Sequence, residues 1–188
     1  MVPEIQTERL KLARIDPADQ GFIFEGLSHP QVIPFYGVRY DSFEATKAQM
    51  EFYERMLADG SGIPWKLVEQ ESGAAVGVLA VYGYKAEHRK AELGFWLLPN
   101  YWGKGYAREA VQAAIAYWQA ERNLHRLEAF VETENEASWR LLERCGFAYE
   151  GLMRDSEWKE GRWISLKIYA LLSASAPEQE FQGQFIAF

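Results

Sequence analysis

The sequence predicts an α/β (α+β) fold with the element order βααβββαβαββ. Three observations carry that prediction. Residues 91–107, AELGFWLLPNYWGKGYA, read as a strand that runs through a glycine-rich turn straight into a helix. The positions that follow, Ala107, Ala110, Val111, Ala114, Ile115 and Trp118, repeat at helical spacing and lay one apolar stripe on a sheet. Two alternating runs near the end, 147–158 and 163–172, flank Glu160-Gly161 as a closing hairpin does.

In chain order, residues 9–15 (RLKLARI) alternate as a first strand, and Asp16-Pro17 supplies an N-cap with proline at the first helical position for a helix to about Leu27. Residues 28–41 contain two prolines and a glycine yet keep Val32, Ile33, Phe35 and Tyr36, the composition of an apolar loop that covers something. Asp41 or Ser42 is expected to cap a second helix to about Ala58, with Thr46, Met50, Tyr53 and Leu57 on one face. Strands at 65–69 and 75–84 are joined by Glu71-Ser72-Gly73. In the central strand Leu93, Phe95 and Leu97 point one way, and Glu92, Gly94, Trp96 and Leu98 the other. A strand at 126–132 leads to a fourth helix, 135–144, stopped by Gly146.

Composition bounds the function. The 188 residues, 48% hydrophobic and 15% aromatic, suffice for one domain with a substantial core, expected over 1–172. The remainder, 173–188, opens like a linker and ends apolar, as a tail would that docks on its own domain or on a second subunit of a homodimer. Twenty basic and twenty-seven acidic side chains leave a net charge of −7, which repels a polyphosphate backbone and argues against nucleic acid as partner. One cysteine, Cys145, excludes an internal disulfide. With no signal-like N-terminus and no run of the ~18 apolar residues that a membrane span needs, a cytoplasmic protein is expected. His29, His88 and His125 are scattered without metal-ligand spacing, so no metal is expected.

Pro99 stops strand pairing, and Gly103 and Gly105 leave the backbone bare where the helix begins. Unpaired amides and the positive end of the helix dipole converge there, the elements of a main-chain phosphate site. A nucleotide-hydrolase loop would need a hydroxyl residue after Gly103-Lys104, where Gly105 stands; a dinucleotide fingerprint would need a small residue at Arg108. The stretch instead resembles the pyrophosphate loop of the GNAT acyl-CoA-dependent N-acetyltransferases, Arg/Gln-x-x-Gly-x-Gly/Ala, with Asn100 in the first place and Gly103 and Gly105 in the glycine places. The wording Tyr-Trp-Gly-Lys-Gly-Tyr-Ala is most similar to the RimJ/RimL branch, which acetylates ribosomal-protein N-termini and has many small-amine relatives. A second motif, 135–147, resembles the family's Asn-x-x-Ser-x-x-Leu-x-x-x-x-Gly-Phe about 30 residues later, and with the element order the resemblance covers roughly residues 5–172.

The resemblance implies a mixed, mostly antiparallel six- or seven-stranded sheet with a splayed central strand pair and helices on both faces. It also implies direct acetyl transfer from acetyl-CoA to a primary amine. Such transfer needs a base for the ammonium, a donor for the oxyanion and a proton for the departing thiolate. Glu92 is the candidate base, acting through water. Ser138, which shares a helix face with Leu141, Leu142 and Cys145, is the candidate acid, unless it only bonds backbone beside a Thr133–Glu136 capping box or leaves the acid role to a tyrosine. The main-chain N–H near Leu97 or Leu98 would be the oxyanion donor. Trp102, Gly103, Lys104, Gly105, Tyr106, Ala107 and Arg108 would hold the diphosphate, with Asn135 and Ser138 also at the cofactor, and Tyr36, Trp65, Tyr82 and Tyr84 are candidates to line the acceptor pocket. The rival reading is a protein that binds acyl-CoA as a sensor without turnover.

Overall fold

The computed structural model describes residues 2–173; the expected C-terminal tail lies outside the described residues. Eight strands form one sheet: β1 (Ile5–Gln6), β2 (Leu10–Arg14), β3 (Ile63–Glu69), β4 (Ala75–Lys85), β5 (Lys90–Leu97), β6 (Arg126–Glu132), β7 (Ala148–Lys159) and β8 (Arg162–Leu172). Their spatial order is β1-β2-β3-β4-β5-β6-β8-β7, antiparallel throughout except for β5 against β6. Four α-helices, α1 (Gln20–Ser28), α2 (Lys47–Asp59), α3 (Tyr106–Arg122) and α4 (Glu136–Arg144), and three short 3-10 turns accompany the sheet among the described residues. The strand beyond the expected six or seven is β1, whose two residues, paired at Ile5↔Leu12 and Gln6↔Lys11, are too few to show alternation.

The sheet has two cores. On one face Leu93, Leu97, Val81 and Trp65 pack against the α3 stripe of Ala110, Val111, Ala114 and Trp118 and against Leu142 of α4. On the other, Val78 and Trp96 pack against Ile23 and Leu27 of α1 and Tyr53 and Met56 of α2. The alternation read in β5 therefore holds: odd positions face α3 and even positions face α1 and α2. Lys66 reaches both carboxylate oxygens of Asp19, 2.6 and 2.8 Å away, and ties β3 to the start of α1.

The second helix starts later than Asp41 or Ser42. The Ser42 hydroxyl accepts from the Ala45 amide at 3.1 Å and holds a turn, after which Thr46, fully buried, bonds back to the Ser42 carbonyl. Regular helix begins only at Lys47.

One feature positions the site. β5 and β6 share just three register pairs, Lys90↔Arg126, Ala91↔Leu127 and Glu92↔Glu128, and then part. Below the parting, Glu128 is held by Lys90 at 3.3 Å and by Arg126 at 2.7 Å, while Arg126 also grips Glu150 of β7. These ion pairs close the base of the wedge.

Candidate active site

The wedge between β5 and β6 opens into a cleft of about 720 Å³, bounded by the loop before α2, the inner face of α2, the start of α4 and the β7–β8 hairpin. Glu92, half-buried on the last paired position of β5, lines it, and so do Asn135 and Ser138. Glu92 forms no ion pair among the described residues, in contrast to Glu128 beside it. A carboxylate on the cleft wall with no cation attached has its lone pairs available to a proton-bearing ligand.

Four tyrosines, Tyr36, Tyr40, Tyr53 and Tyr82, line the same cleft. Burial pushes the Tyr36 phenol well above its ordinary value, with the nearby phenols of Tyr53, Tyr82 and Tyr40 adding to the shift. Burial first, then the neighbouring Glu92 and Glu157 carboxylates, hold Tyr82 up to about 12, so it remains a neutral donor at any physiological pH. The Tyr40 hydroxyl donates to Gln49 Oε1 at 3.2 Å, and Tyr53 is buried with no hydrogen-bond partner on its hydroxyl. Glu132, buried at the far wall, is neutralised by Lys159 Nζ, which also donates to the Pro34 carbonyl at 2.6 Å and so clasps the loop before α2 to the hairpin.

Of the four residues expected at the acceptor pocket, Tyr36 and Tyr82 line this cleft. Trp65 and Tyr84 lie elsewhere. Trp65 is fully buried on the α3 face, edge-on to Tyr117, and its indole donates to the Pro3 carbonyl at 2.8 Å. Tyr84 follows a break in register at Gly83, whose φ of +63° turns the strand, and packs on Trp118 with its hydroxyl donating to Arg122. Gln49, Tyr53 and Glu157 were not anticipated as site residues. The helical spacing already put Tyr53 on the inner face of α2, whereas Glu157 reaches the cleft through an irregularity between Met153 and Glu157 that no periodicity announces.

The backbone of the wedge is the second half of the site. Leu98 donates to the Val76 carbonyl at 2.9 Å and its own carbonyl accepts from Tyr101 at 3.0 Å, so Leu98 offers nothing to an oxyanion. Antiparallel strands alternate their bonding direction, so the amides turned towards β6 belong to the odd positions. Beyond the last pair with β6 these are Phe95 and Leu97. The Leu97 carbonyl is taken by the Trp102 indole at 2.8 Å. On β6, Thr133 donates to Ser165 of β8, so by the same alternation the polar backbone of Phe130 faces back across the gap.

Gly105 is the N-cap of α3, left-handed at φ +85°, with no side-chain cap; the first amides of the helix are therefore free to meet a ligand. Gly103, at φ +73°, is also left-handed, and a Cβ there would meet open space. Trp102, Lys104 and Arg108 are exposed around this turn, and Lys104 Nζ lies 5.1 Å from the centre of the Tyr101 ring. A diphosphate fits a turn so built: backbone donors, two glycines and two cations. Tyr106 differs from that set, being buried with its hydroxyl donated to Glu69. At α4, Asn135 is the cap: its side chain accepts from the Ser138 amide at 3.2 Å, and the Thr133–Glu136 box is not formed. The Ser138 hydroxyl has no hydrogen-bond partner among the described residues and lines the cleft.

A family model described as an acetyltransferase (GNAT) domain matches residues 9–148. The chain belongs to the GNAT acetyltransferase family. Among relatives, an N-acetyltransferase called p20 of Bacillus licheniformis is 31% identical over 169 residues, covering 89% of this chain and 95% of the relative. A spermidine N(1)-acetyltransferase of Vibrio cholerae is 26% identical over 88% of this chain and 94% of its own. Among solved structures, RimL, the ribosomal L7/L12 alpha-N-protein acetyltransferase, in complex with coenzyme A superposes with a TM-score of 0.82 at 20% identity, over 90% of this chain and 98% of that one, a likeness of fold. This GNAT enzyme is thus an N-acetyltransferase on the strength of its family, and no helix among its described residues is long and apolar enough to cross a membrane.

Proposed function

We propose that residues 1–172 form a single acetyltransferase domain that moves the acetyl group of acetyl-CoA directly to a primary amine bound in the tyrosine-lined cleft. The observation that carries this reading is the wedge: it begins at Glu92 and offers unpaired amides on both walls. An extended chain bearing amides of its own, such as the pantetheine arm of CoA, satisfies those groups as a missing strand would. Its diphosphate end then falls at the turn before α3, and its thioester end beside Glu92 and Ser138.

In this mechanism the acceptor enters as an ammonium drawn by Glu92 and Glu157. Glu92 takes a proton through water, and the freed nitrogen lone pair attacks the acetyl carbon. The amide of Phe95 or Leu97 stabilises the negative charge that grows on oxygen, the C–S bond breaks as the carbonyl re-forms, and Ser138 passes its hydroxyl proton to the thiolate while taking up the second proton that the acylated nitrogen sheds, so that neutral amide and CoA thiol leave. The aromatic walls supplied by Phe52, Phe95 and Tyr36 favour an amine with an apolar body. That description fits a ribosomal-type protein N-terminus or a small amine. The single cysteine suits the reducing cytoplasm.

The test is release of CoA thiol from acetyl-CoA across a panel of N-terminal ribosomal-protein peptides and small amines. Turnover on at least one class is expected. CoA that binds without turnover on any amine would replace this reading with that of an acyl-CoA sensor.

A further inference from the structure

The candidate diphosphate turn is braced by a residue that no local spacing suggests, because it comes from the N-terminal segment, 95 residues earlier in the chain. Arg9, immediately before β2, donates from Nη1 to the Lys104 carbonyl at 2.8 Å and from Nε to Glu109 Oε2 at 2.8 Å. Its guanidinium also lies 4.9 Å from the centre of the Tyr106 ring. A Cβ built on Gly105 would sit 3.3 Å from Arg9 Nη2, so the guanidinium rests directly under the bare turn.

Glu109 explains why a brace is needed. It stands in the first turn of α3, where a carboxylate ordinarily favours the helix dipole but competes with any anion held by the same amides. Here it is drawn away from them. One oxygen accepts from the Thr7 hydroxyl at 2.5 Å and from the Arg9 amide at 2.8 Å, and the other meets the guanidinium. These bonds and the guanidinium charge hold its pKa below the usual carboxylate range, against the opposing effect of burial.

Resting on the reading of this turn as the diphosphate site, we propose that Arg9 is a positioning residue for the cosubstrate. It fixes the Lys104 carbonyl so that the glycine amides stay turned outward, and it neutralises Glu109 so that a diphosphate meets no opposing charge. The side chain acts through the turn and has no part in the transfer itself.

Calorimetry on the full chain tests this with CoA and with pantetheine, which has no diphosphate. Arg9→Ala should weaken CoA by roughly tenfold or more, the scale of a lost charge-assisted hydrogen bond, and leave pantetheine unchanged. Arg9→Lys should fall between, since an ammonium cannot bond both partners in the guanidinium's geometry. Adding Glu109→Gln to Arg9→Ala should recover part of the loss by removing the unpaired charge, which a general loosening of the fold would not allow. CoA affinity within twofold of the parent in Arg9→Ala, or equal weakening of CoA and pantetheine, overturns the proposal. No CoA binding by the unaltered chain would instead remove the cosubstrate reading beneath it.

Discussion

Glu92 and Glu128 stand opposite each other in the last register pair between β5 and β6, and only Glu128 carries cations, Lys90 and Arg126. Two carboxylates on neighbouring strands thus divide their work: one is committed to holding the strands together and the other is left facing the cleft.

The division predicts different losses. Glu92→Gln should lower turnover by about 10²–10⁴, the contribution of a general base, with CoA affinity and melting temperature little changed. Steady-state kinetics and calorimetry on the same preparation decide it. CoA affinity falling in step with turnover would instead place Glu92 in cosubstrate binding.

Glu128 ties stability to acid. Its pKa is held below its ordinary value of 4.5 by Arg126 and Lys90, in spite of burial. A carboxyl group with a depressed folded-state pKa contributes stability above its unfolded value and loses it as the pH falls through the folded one. Unfolding by denaturant should therefore show a flat stability from neutrality to about pH 5 and a decline below it. In Glu128→Gln the decline should be shallower, from a lower plateau.

The opposite sign holds at alkaline pH. Tyr82 titrates only near 12 in the folded protein, against 10.0 as its ordinary value. Folded protein therefore keeps a proton that the unfolded chain releases, and stability should fall as the pH rises from 10 towards 12. Tyr82→Phe should soften that fall, which equilibrium unfolding at pH 9 and at pH 11 would reveal.

Gly105→Glu should abolish CoA binding while the fold persists. The position is left-handed at φ +85°, a Cβ there would meet Arg9, and a carboxylate would occupy the candidate anion site. Circular dichroism together with CoA titration separates loss of fold from loss of the turn.

Gly26→Ala probes the other core. A Cβ at Gly26 would lie 2.2 Å from the Trp96 ring, between α1 and β5, so the indole must move. A loss of about 1–3 kcal/mol in chemical denaturation is expected, the usual cost of overpacking. Because Trp96 is buried beneath the cleft, its fluorescence should report the displacement.

Much of this was readable beforehand. The alternation of β5 and the stripe of α3 each involve many residues repeating one period, and both took their expected places. The misplacements occur where periodicity is interrupted. By parity Tyr84 should share the face of Tyr82, but the left-handed Gly83 between them sends it to the other core. Glu157 enters the cleft by a comparable break in β7. Trp65 has the residue type of a pocket wall, and nothing in its own short strand says which face is inward; its pairing with Leu79 settles that. Arg9 and Glu109 are 100 residues apart, and no local pattern joins them.

The three register pairs between β5 and β6 have a mechanical consequence. β1 to β5 form one half-sheet and β6 to β8 another, sewn along a seam three rungs long. Each half can then loosen with little tug on its neighbour, and whatever chain lies in the gap lengthens the seam and makes the halves melt as one. Amide exchange at Phe95, Leu97 and Phe130 should be quick in the bare protein and slow when the gap is bridged, so that a ligand serves this sheet as its missing stitch.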